Sequence, residues 1–180
     1  MYSAGKGVSP DDAEALRWLR KAADQGEMYA QFNLGAMYLR GQGVPQGDGE
    51  ALLWFRRAAD QGHACAQREL GLMFVIGRGV PQDYAEAVRW LRKAADQGDA
   101  DAQFNIGVMY FNGEGVTKDF GEALRWIRRA ADRGNASAQR ELGLMYSNGE
   151  GLPQDYVQAH MWINLAASRA TGEDQKSYTR

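Results

Sequence analysis

The stretch AQFNIGVMYFNGEGVTKDFGEALRWIRRAADRG, residues 102–134, decides the fold, because its pattern recurs along the chain every 36 residues. Tryptophan marks the period most clearly. The chain has five tryptophans, each 36 residues after the one before: Trp18, Trp54, Trp90, Trp126 and Trp162. A fixed period of about 20–50 residues is typical of solenoids and related arrays, so the sequence predicts a repeat protein.

The period divides one repeat domain, 1–180, into units. Complete units occupy 30–65, 66–101, 102–137 and 138–173, residues 1–29 match the end of an earlier unit, and 174–180 form a polar tail. We expect residues from Gly172 onwards to fray. The first unit has only one neighbour, so we expect Tyr2, Trp18 and Leu19 to be partly exposed or covered by a second chain.

Each unit has the pattern of helix, turn and helix. In the first helix, such as Ala30–Arg40, apolar residues recur at helical spacing. The glycine inside this helix, such as Gly107, indicates a closely crossing neighbour. The second helix is predicted to begin with a D-x-x-E capping box at Asp11, Asp83 and Asp119, with a variant at Asp155, and to end at a glycine such as Gly134.

A single helical hairpin cannot bury its own apolar stripes, whereas stacked hairpins can. The sequence therefore predicts an all-α solenoid of 36-residue helix-turn-helix repeats, with about nine or ten helices. The tryptophans of the central units are expected to be buried at equivalent sites.

The repeat resembles the Sel-one-like repeat family, which is related to the tetratricopeptide repeats. The resemblance covers nearly the whole chain and rests on Ala102, Gly107, Tyr110, Gly113, Gly115, Val116, Asp119, Ala123, Trp126, Ala130, Ala131, Gly134 and, from the next unit, Leu142. The stretch Ala159–Ala167 resembles the way bacterial members close their arrays. The resemblance implies a right-handed α/α superhelix that serves as a scaffold or adaptor.

Composition narrows the classes of partner. The net charge of -2 argues against a nucleic-acid binder, and a ladder of Arg and Lys on the second helices reads as a solvated face interleaved with acids. Neither a membrane-spanning run nor a signal peptide is present in this sequence. We expect a soluble protein, and the sequence leaves its compartment open: the cytoplasm, or the periplasm or exterior if a leader was removed.

The first-helix face that points away from the tryptophans is the predicted binding surface. In related solenoids the first helices line a concave groove, which would suit a peptide or partner protein. The candidate residues are Phe32, Asn33, Arg40, Arg68, Glu69, Phe104, Asn105, Asn112, Arg140 and Glu141. Phe-Asn alternates with Arg-Glu, which gives a second period of 72 residues. The alternative interpretation is that Phe packs between repeats and Arg-Glu is a surface ion pair.

The sequence predicts no catalytic residue, metal or cofactor, and the chain is not expected to be an enzyme. His63 and Cys65 share one turn, but a metal site needs three or four ligands. A small-substrate hydrolase, or a β-lactam-binding protein of the family's cysteine-rich branch, is the alternative function. That branch has a cysteine pair in each repeat, whereas this chain has one cysteine. An end-to-end or homodimer contact stays open.

Overall fold

A computed structural model describes the backbone from Pro10 to Ser177 and the burial of side chains from Glu14 to Ser168. This part of the chain holds nine α-helices and no β-strand, which confirms the predicted all-α repeat architecture. The helices are α1 (Pro10–Asp24), α2 (Met28–Arg40), α3 (Asp48–Asp60), α4 (Ala64–Ile76), α5 (Tyr84–Asp96), α6 (Ala100–Asn112), α7 (Phe120–Asp132), α8 (Ala136–Asn148) and α9 (Tyr156–Ser177). We call α2, α4, α6 and α8 the A helices and the odd-numbered helices the B helices. Tyr2 lies outside the described residues.

The helices belong to two compact units. The first ends at Asp83 and contains α1–α4, and the second begins at Tyr84 and contains α5–α9. Within each unit every helix packs against the helices that precede and follow it in the chain. This pattern of nearest-neighbour contacts is the one that stacked hairpins require.

The A helices are capped at both ends. The residue before each helix accepts a hydrogen bond from the backbone N–H three residues later: Glu27, His63, Asp99 and Asn135. At the other end a left-handed glycine, such as Gly113 with φ 78°, ends the helix. Its N–H donates to the Met109 carbonyl, which would otherwise lack a partner.

The glycine inside each A helix marks a close crossing, as predicted, wherever its surroundings are described. A Cβ added at Gly107 would lie 2.6 Å from Ile127 Cγ1, and at Gly143 it would lie 2.7 Å from Ile163 Cγ1. At Gly35 it would lie 2.7 Å from the Phe55 ring. The partner in each case is the B helix of the same hairpin, so the glycine brings the two helices of a hairpin together.

The capping boxes predicted for the B helices form only in part. Asp119 Oδ1 accepts from the Gly121 and Glu122 amides, but the Asp119 N–H donates to the Tyr110 carbonyl. The Glu122 side chain therefore pairs with Arg125, at 2.6 Å, and does not reach back to the cap. Asp155 caps α9 in the same way. The prediction for Asp11 is wrong, because α1 already begins at Pro10.

Four of the five tryptophans are buried, at equivalent positions in the B helices: Trp54, Trp90, Trp126 and Trp162. Trp18, in the first B helix, is 54% exposed, as expected for the end of the array, and Leu19 is partly exposed.

A glutamine is also buried at the same position in every A helix. Its Nε2 donates to an alanine carbonyl at the end of the preceding B helix in four pairs: Gln31–Ala23, Gln67–Ala59, Gln103–Ala95 and Gln139–Ala131.

The last helix departs from the repeat. The helices α3, α5 and α7 each have 13 residues and are followed by a positive-φ glycine, whereas α9 has 22 residues and Ala170 at the glycine position. Residues 172–177 are helical, and the expectation that the tail frays from Gly172 onwards stays a prediction for hydrogen exchange. An alanine does not favour the left-handed conformation that turns the chain, and the helix continues.

Candidate partner-binding surface

Each A helix presents one row of side chains that its hairpin does not bury. In α2 this row is Tyr29, Asn33, Ala36 and Arg40. Their spacing of three and four residues places them on one face. Tyr29, Asn33 and Arg40 are exposed and Ala36 is partly exposed. We call this row, and its equivalents in the other A helices, the outward stripe.

In α4 the outward stripe is more apolar. It consists of Cys65, Glu69, Leu72 and Ile76, and Ile76 is 63% exposed. Tyr29 of α2, in the same compact unit, is 62% exposed. Exposed large apolar side chains next to polar ones are typical of protein contact sites.

In the second unit the outward stripe is mostly polar. The side chains are Asp101, Asn105, Val108 and Asn112 in α6, and Ser137, Glu141, Leu144 and Asn148 in α8. Asn112 and Asn148 are exposed, whereas Asn105 and Glu141 are partly exposed. The stripe therefore differs in chemistry from one repeat to the next, although the buried positions of the A helices hardly change.

Phe32 and Phe104 lie beside the stripe and pack within the protein. The Phe32 ring stacks on His63, with ring centroids 4.5 Å apart, and lies 5.8 Å from Phe55. Phe104 is partly buried against the core of its unit. These contacts are those of the alternative interpretation, in which phenylalanine packs between repeats.

The Arg-Glu pairs that replace Phe-Asn, Arg68-Glu69 in α4 and Arg140-Glu141 in α8, differ from each other. Arg68 and Glu69 form an ion pair of 3.3 Å, and both side chains are partly exposed. Arg140 is exposed, whereas Glu141 is partly exposed. Sequence reasoning placed all four in one groove, and the structure shows that Arg68 and Glu69 contact each other.

His63 serves as a cap and not as part of a cluster of metal ligands. Its Nδ1 accepts from the Ala66 amide at 3.2 Å, which requires a neutral ring with the proton on Nε2. Burial lowers the pKa of His63, an effect partly opposed by its own backbone and by the Glu27 carboxylate. Within the described residues, no group of three or more His, Cys, Asp or Glu side chains is arranged to hold a metal ion.

The basic ladder of the B helices makes intramolecular contacts. Arg89 and Arg125 pair with glutamates one turn earlier, as expected for a solvated face. Arg20 donates to the Tyr38 hydroxyl at 3.0 Å, and Arg92 donates to the Tyr110 hydroxyl. A cation also lies over the tryptophan ring three residues before it in four repeats: Lys21, Arg57, Lys93 and Arg129. The sequence analysis did not predict these contacts, because it assigned the tryptophans to the core and the basic residues to a solvated face.

The family model of the Sel1 repeat matches residues 1–27, 29–63, 66–99, 100–135 and 136–170. The chain belongs to the Sel1 repeat family. Proteins with Sel1 repeats are generally protein-interaction scaffolds, and the family is typically non-catalytic. The match covers every repeat that the tryptophan period defines.

Solved structures of Sel1 repeat proteins are similar to this chain. One is c5321, a protective antigen of uropathogenic Escherichia coli with an SLR fold: 40% identity, TM-score 0.85, covering 87% of this chain and 34% of that one. Another is a Sel1 repeat protein from Oxalobacter formigenes: 39% identity, TM-score 0.85, covering 88% and 63%. The chain thus spans about a third of the length of c5321 and somewhat under two thirds of the length of the Oxalobacter formigenes protein.

More distant matches show the fold alone. Helicobacter pylori cysteine rich protein B is 23% identical, with a TM-score of 0.57, over 75% of this chain and 97% of that one. No curated protein matches the chain. No helix within the described residues has the length and apolar character needed to cross a membrane.

Proposed function

We propose that the chain is a non-catalytic interaction module that binds a peptide or partner protein through the outward stripe of its A helices. One observation carries the proposal. The buried positions of the A helices repeat almost unchanged, whereas the stripe changes from Tyr29, Asn33 and Arg40 in one repeat to Glu69 and Ile76 in the next. Packing does not need this variation, since every repeat forms the same hairpin without it.

The candidate residues that remain accessible are those best suited to a partner. Asn33, Arg40, Asn112 and Arg140 are exposed, and Asn105 is partly exposed. An asparagine amide both donates and accepts, so it can pair with the N–H and C=O of an extended backbone. Tyr29, one helical turn before Asn33, supplies exposed apolar area on α2, and Ile76 supplies it on α4; the sequence analysis selected neither. Tyrosine is enriched at protein interfaces.

A selection from a displayed library of random peptides tests the proposal without a known partner. Peptides enriched on the intact chain are measured against two single variants, Tyr29→Ala and Asn33→Ala. A partner contact buried at an interface is worth about 1–2 kcal/mol, so each substitution is expected to weaken binding about 5- to 30-fold. Thermal stability should be nearly unchanged for Asn33→Ala, because Asn33 is exposed, whereas Tyr29→Ala also removes an edge contact with the His63 ring and should cost about 1 kcal/mol.

Leu53→Ala is the matched control. Leu53 is an exposed apolar residue of a B helix, away from the outward stripe, and its removal is expected to leave peptide affinity unchanged. If the selected peptides bind the stripe variants as tightly as the unmodified chain, the stripe is not the binding surface. If the stripe variants lower stability and leave affinity intact, the residues are structural.

A further inference from the structure

The second compact unit carries a cavity on the exposed side of α7. It has a volume of about 320 Å³ and is lined by Gly121, Leu124, Arg125, Arg128, Arg129 and Asp132. We call it the arginine cavity. Three of its lining residues are arginines and one is an aspartate, which leaves an excess of two positive charges. A concave surface with charges of one sign concentrates ligands of the opposite sign, so this cavity is expected to attract an anion.

A buried tryptophan holds two of the three arginines in place. The guanidinium carbon of Arg129 lies 4.9 Å from the centroid of the Trp126 ring, and that of Arg125 lies 5.4 Å from it. The ring is only 3% exposed, so it is a fixed support for both side chains. Side chains that are already restricted lose less freedom when a ligand binds, and this favours binding.

Arg128 departs from its counterparts in the other repeats. The equivalent arginines, Arg20 and Arg92, each donate to the hydroxyl of the tyrosine 18 residues later. Tyr146 follows Arg128 at the same spacing, but no hydrogen bond joins the two side chains within the residues that the structure describes. The Arg128 guanidinium, with its five N–H donors, is therefore left to the cavity.

A solvated face interleaved with acids explains Arg125 but not the other two arginines. Arg125 pairs with Glu122 at 2.6 Å. Asp132 follows Arg128 and Arg129 by one helical turn, the spacing at which ion pairs form on a helix. Neither of these arginines forms an ion pair in the described part of the chain. Two cations of the cavity thus have no anion of their own.

The chemistry of the lining favours a phosphate monoester. A guanidinium group matches two phosphate oxygens at once, and a phosphorylated side chain carries about 1.5–2 negative charges at pH 7, which would balance the excess of two. The cavity is at the lower end of the range of about 300–1,000 Å³ that is typical of ligand sites, so it has room for the carbon atoms next to the phosphate. Leu124, which is partly exposed, offers these atoms an apolar contact.

We propose that the arginine cavity binds a phosphorylated serine or threonine side chain of a partner protein. Arg128 and Arg129 donate to the phosphate oxygens, and Arg125 exchanges its exposed pair with Glu122 for the ligand. Recognition of phosphorylated segments by clustered arginines is a recurring mode of peptide binding. The site lies on a B helix, so it is separate from the outward stripe and does not depend on the function proposed there.

A chemical-shift titration of the isotopically labelled full chain tests the proposal and locates the site. The probe is a short glycine-rich peptide with one phosphoserine, compared with the same peptide without the phosphate. In about 0.15 M salt the screening length is about 8 Å, so charges elsewhere on the surface contribute little. The phosphorylated peptide should bind saturably and shift the backbone amides of residues 121–132, whereas the unphosphorylated peptide should do neither.

Arg128→Gln should weaken binding of the phosphorylated peptide about fivefold, the upper end of the effect of one exposed ion pair. Arg89→Gln is the matched control: Arg89 is also an exposed arginine of a B helix, pairs with Glu86 and does not line the cavity, so affinity should be unchanged. Asp132→Asn should strengthen binding about twofold, because it removes a carboxylate that repels the phosphate. The dispersion of each spectrum shows whether the variant is folded.

Four outcomes would overturn the proposal. The first is equal binding of the two peptides, or none, by the folded chain, and the second is equal weakening by Arg89→Gln and Arg128→Gln, which would indicate general surface charge. The third is full displacement of the peptide by an equal concentration of inorganic phosphate, which would assign the cavity to the free ion. The fourth is tighter binding of a single-stranded oligonucleotide, which would assign it to nucleic acid. Asn33→Ala should not alter affinity here, which keeps this test separate from that of the outward stripe.

Discussion

Replacing Gly107 with alanine tests whether close helix crossing explains the glycine in each A helix. The new methyl would lie 2.6 Å from Ile127 Cγ1, 3.1 Å from Ile127 N and 3.2 Å from the Ala123 carbonyl oxygen. Two of these three atoms belong to the backbone and cannot rotate away. Overpacking of this kind costs about 1–3 kcal/mol, whereas alanine gains about 1 kcal/mol over glycine in a helix. Because two of the three close atoms are backbone, the overpacking cost should lie in the upper half of that range, about 2–3 kcal/mol, which leaves a net loss of about 1–2 kcal/mol.

Urea denaturation followed by circular dichroism measures this loss, and the melting temperature should fall by about 2–8 °C for a chain of this size. Gly49→Ala is the control, because a Cβ there meets nothing within 4 Å; it should stabilise α3 by up to about 1 kcal/mol. The loss at Gly107 should shrink in an Ile127→Ala background, since Cγ1 is then absent. If Gly107→Ala stabilises the chain as Gly49→Ala does, the crossing does not require glycine.

Three further outcomes are expected. Burial lowers the pKa of His63. The contribution of His63 to stability is therefore present above the ordinary value of about 6.5 and is lost as pH falls through the lower folded pKa. The urea midpoints at pH 7 and pH 5 should differ less for His63→Asn, which copies the cap at Asn135, than for the unmodified chain. Asn135→Ala should cost about 1 kcal/mol in urea through the lost cap, whereas Asn148→Ala, at the exposed end of the same helix, should cost little. Iodide should quench only one class of tryptophan fluorescence, and Trp18→Phe should remove it, because Trp18 alone of the five is exposed.

The sequence predicted the hairpins because packing demands the same residue at the same place in every repeat. Trp126 and Gly107 recur for that reason, and the period reveals them at once. The sequence analysis did not predict the N-caps of the A helices, because an N-cap needs only a hydrogen-bond acceptor. Glu27, His63 and Asn135 all accept from an amide three residues on, although their letters differ. A search for identical residues cannot find a role that several side chains can fill.

The candidate surface was predicted less completely for a related reason. Helical spacing identified the face that carries Asn33, but it could not separate an exposed position from a neighbour that packs between repeats. Phe32 lies one residue from Asn33, and the next A helix covers it through His63. Tyr29 is 62% exposed and Ile76 is 63% exposed, and helical spacing alone predicts neither. The exposure of these side chains depends on how the hairpins stack, and the sequence of a single repeat carries no signal for it.

The packing of Phe32 favours the alternative interpretation of the 72-residue alternation, in which phenylalanine packs between repeats. Position 32 contacts the cap residue of the A helix that follows, as the stacking of Phe32 on His63 shows. Phe104 is likewise followed by a neutral cap, Asn135, and only Arg68 is followed by an acidic one. The side chain at this position and the cap 31 residues later thus differ together among these three repeats. Tyr29 and Asp101 of the outward stripe also contact the cap of the A helix that follows. Stripe residues further along the A helices, such as Asn33 and Arg40, are therefore the better guide to a partner.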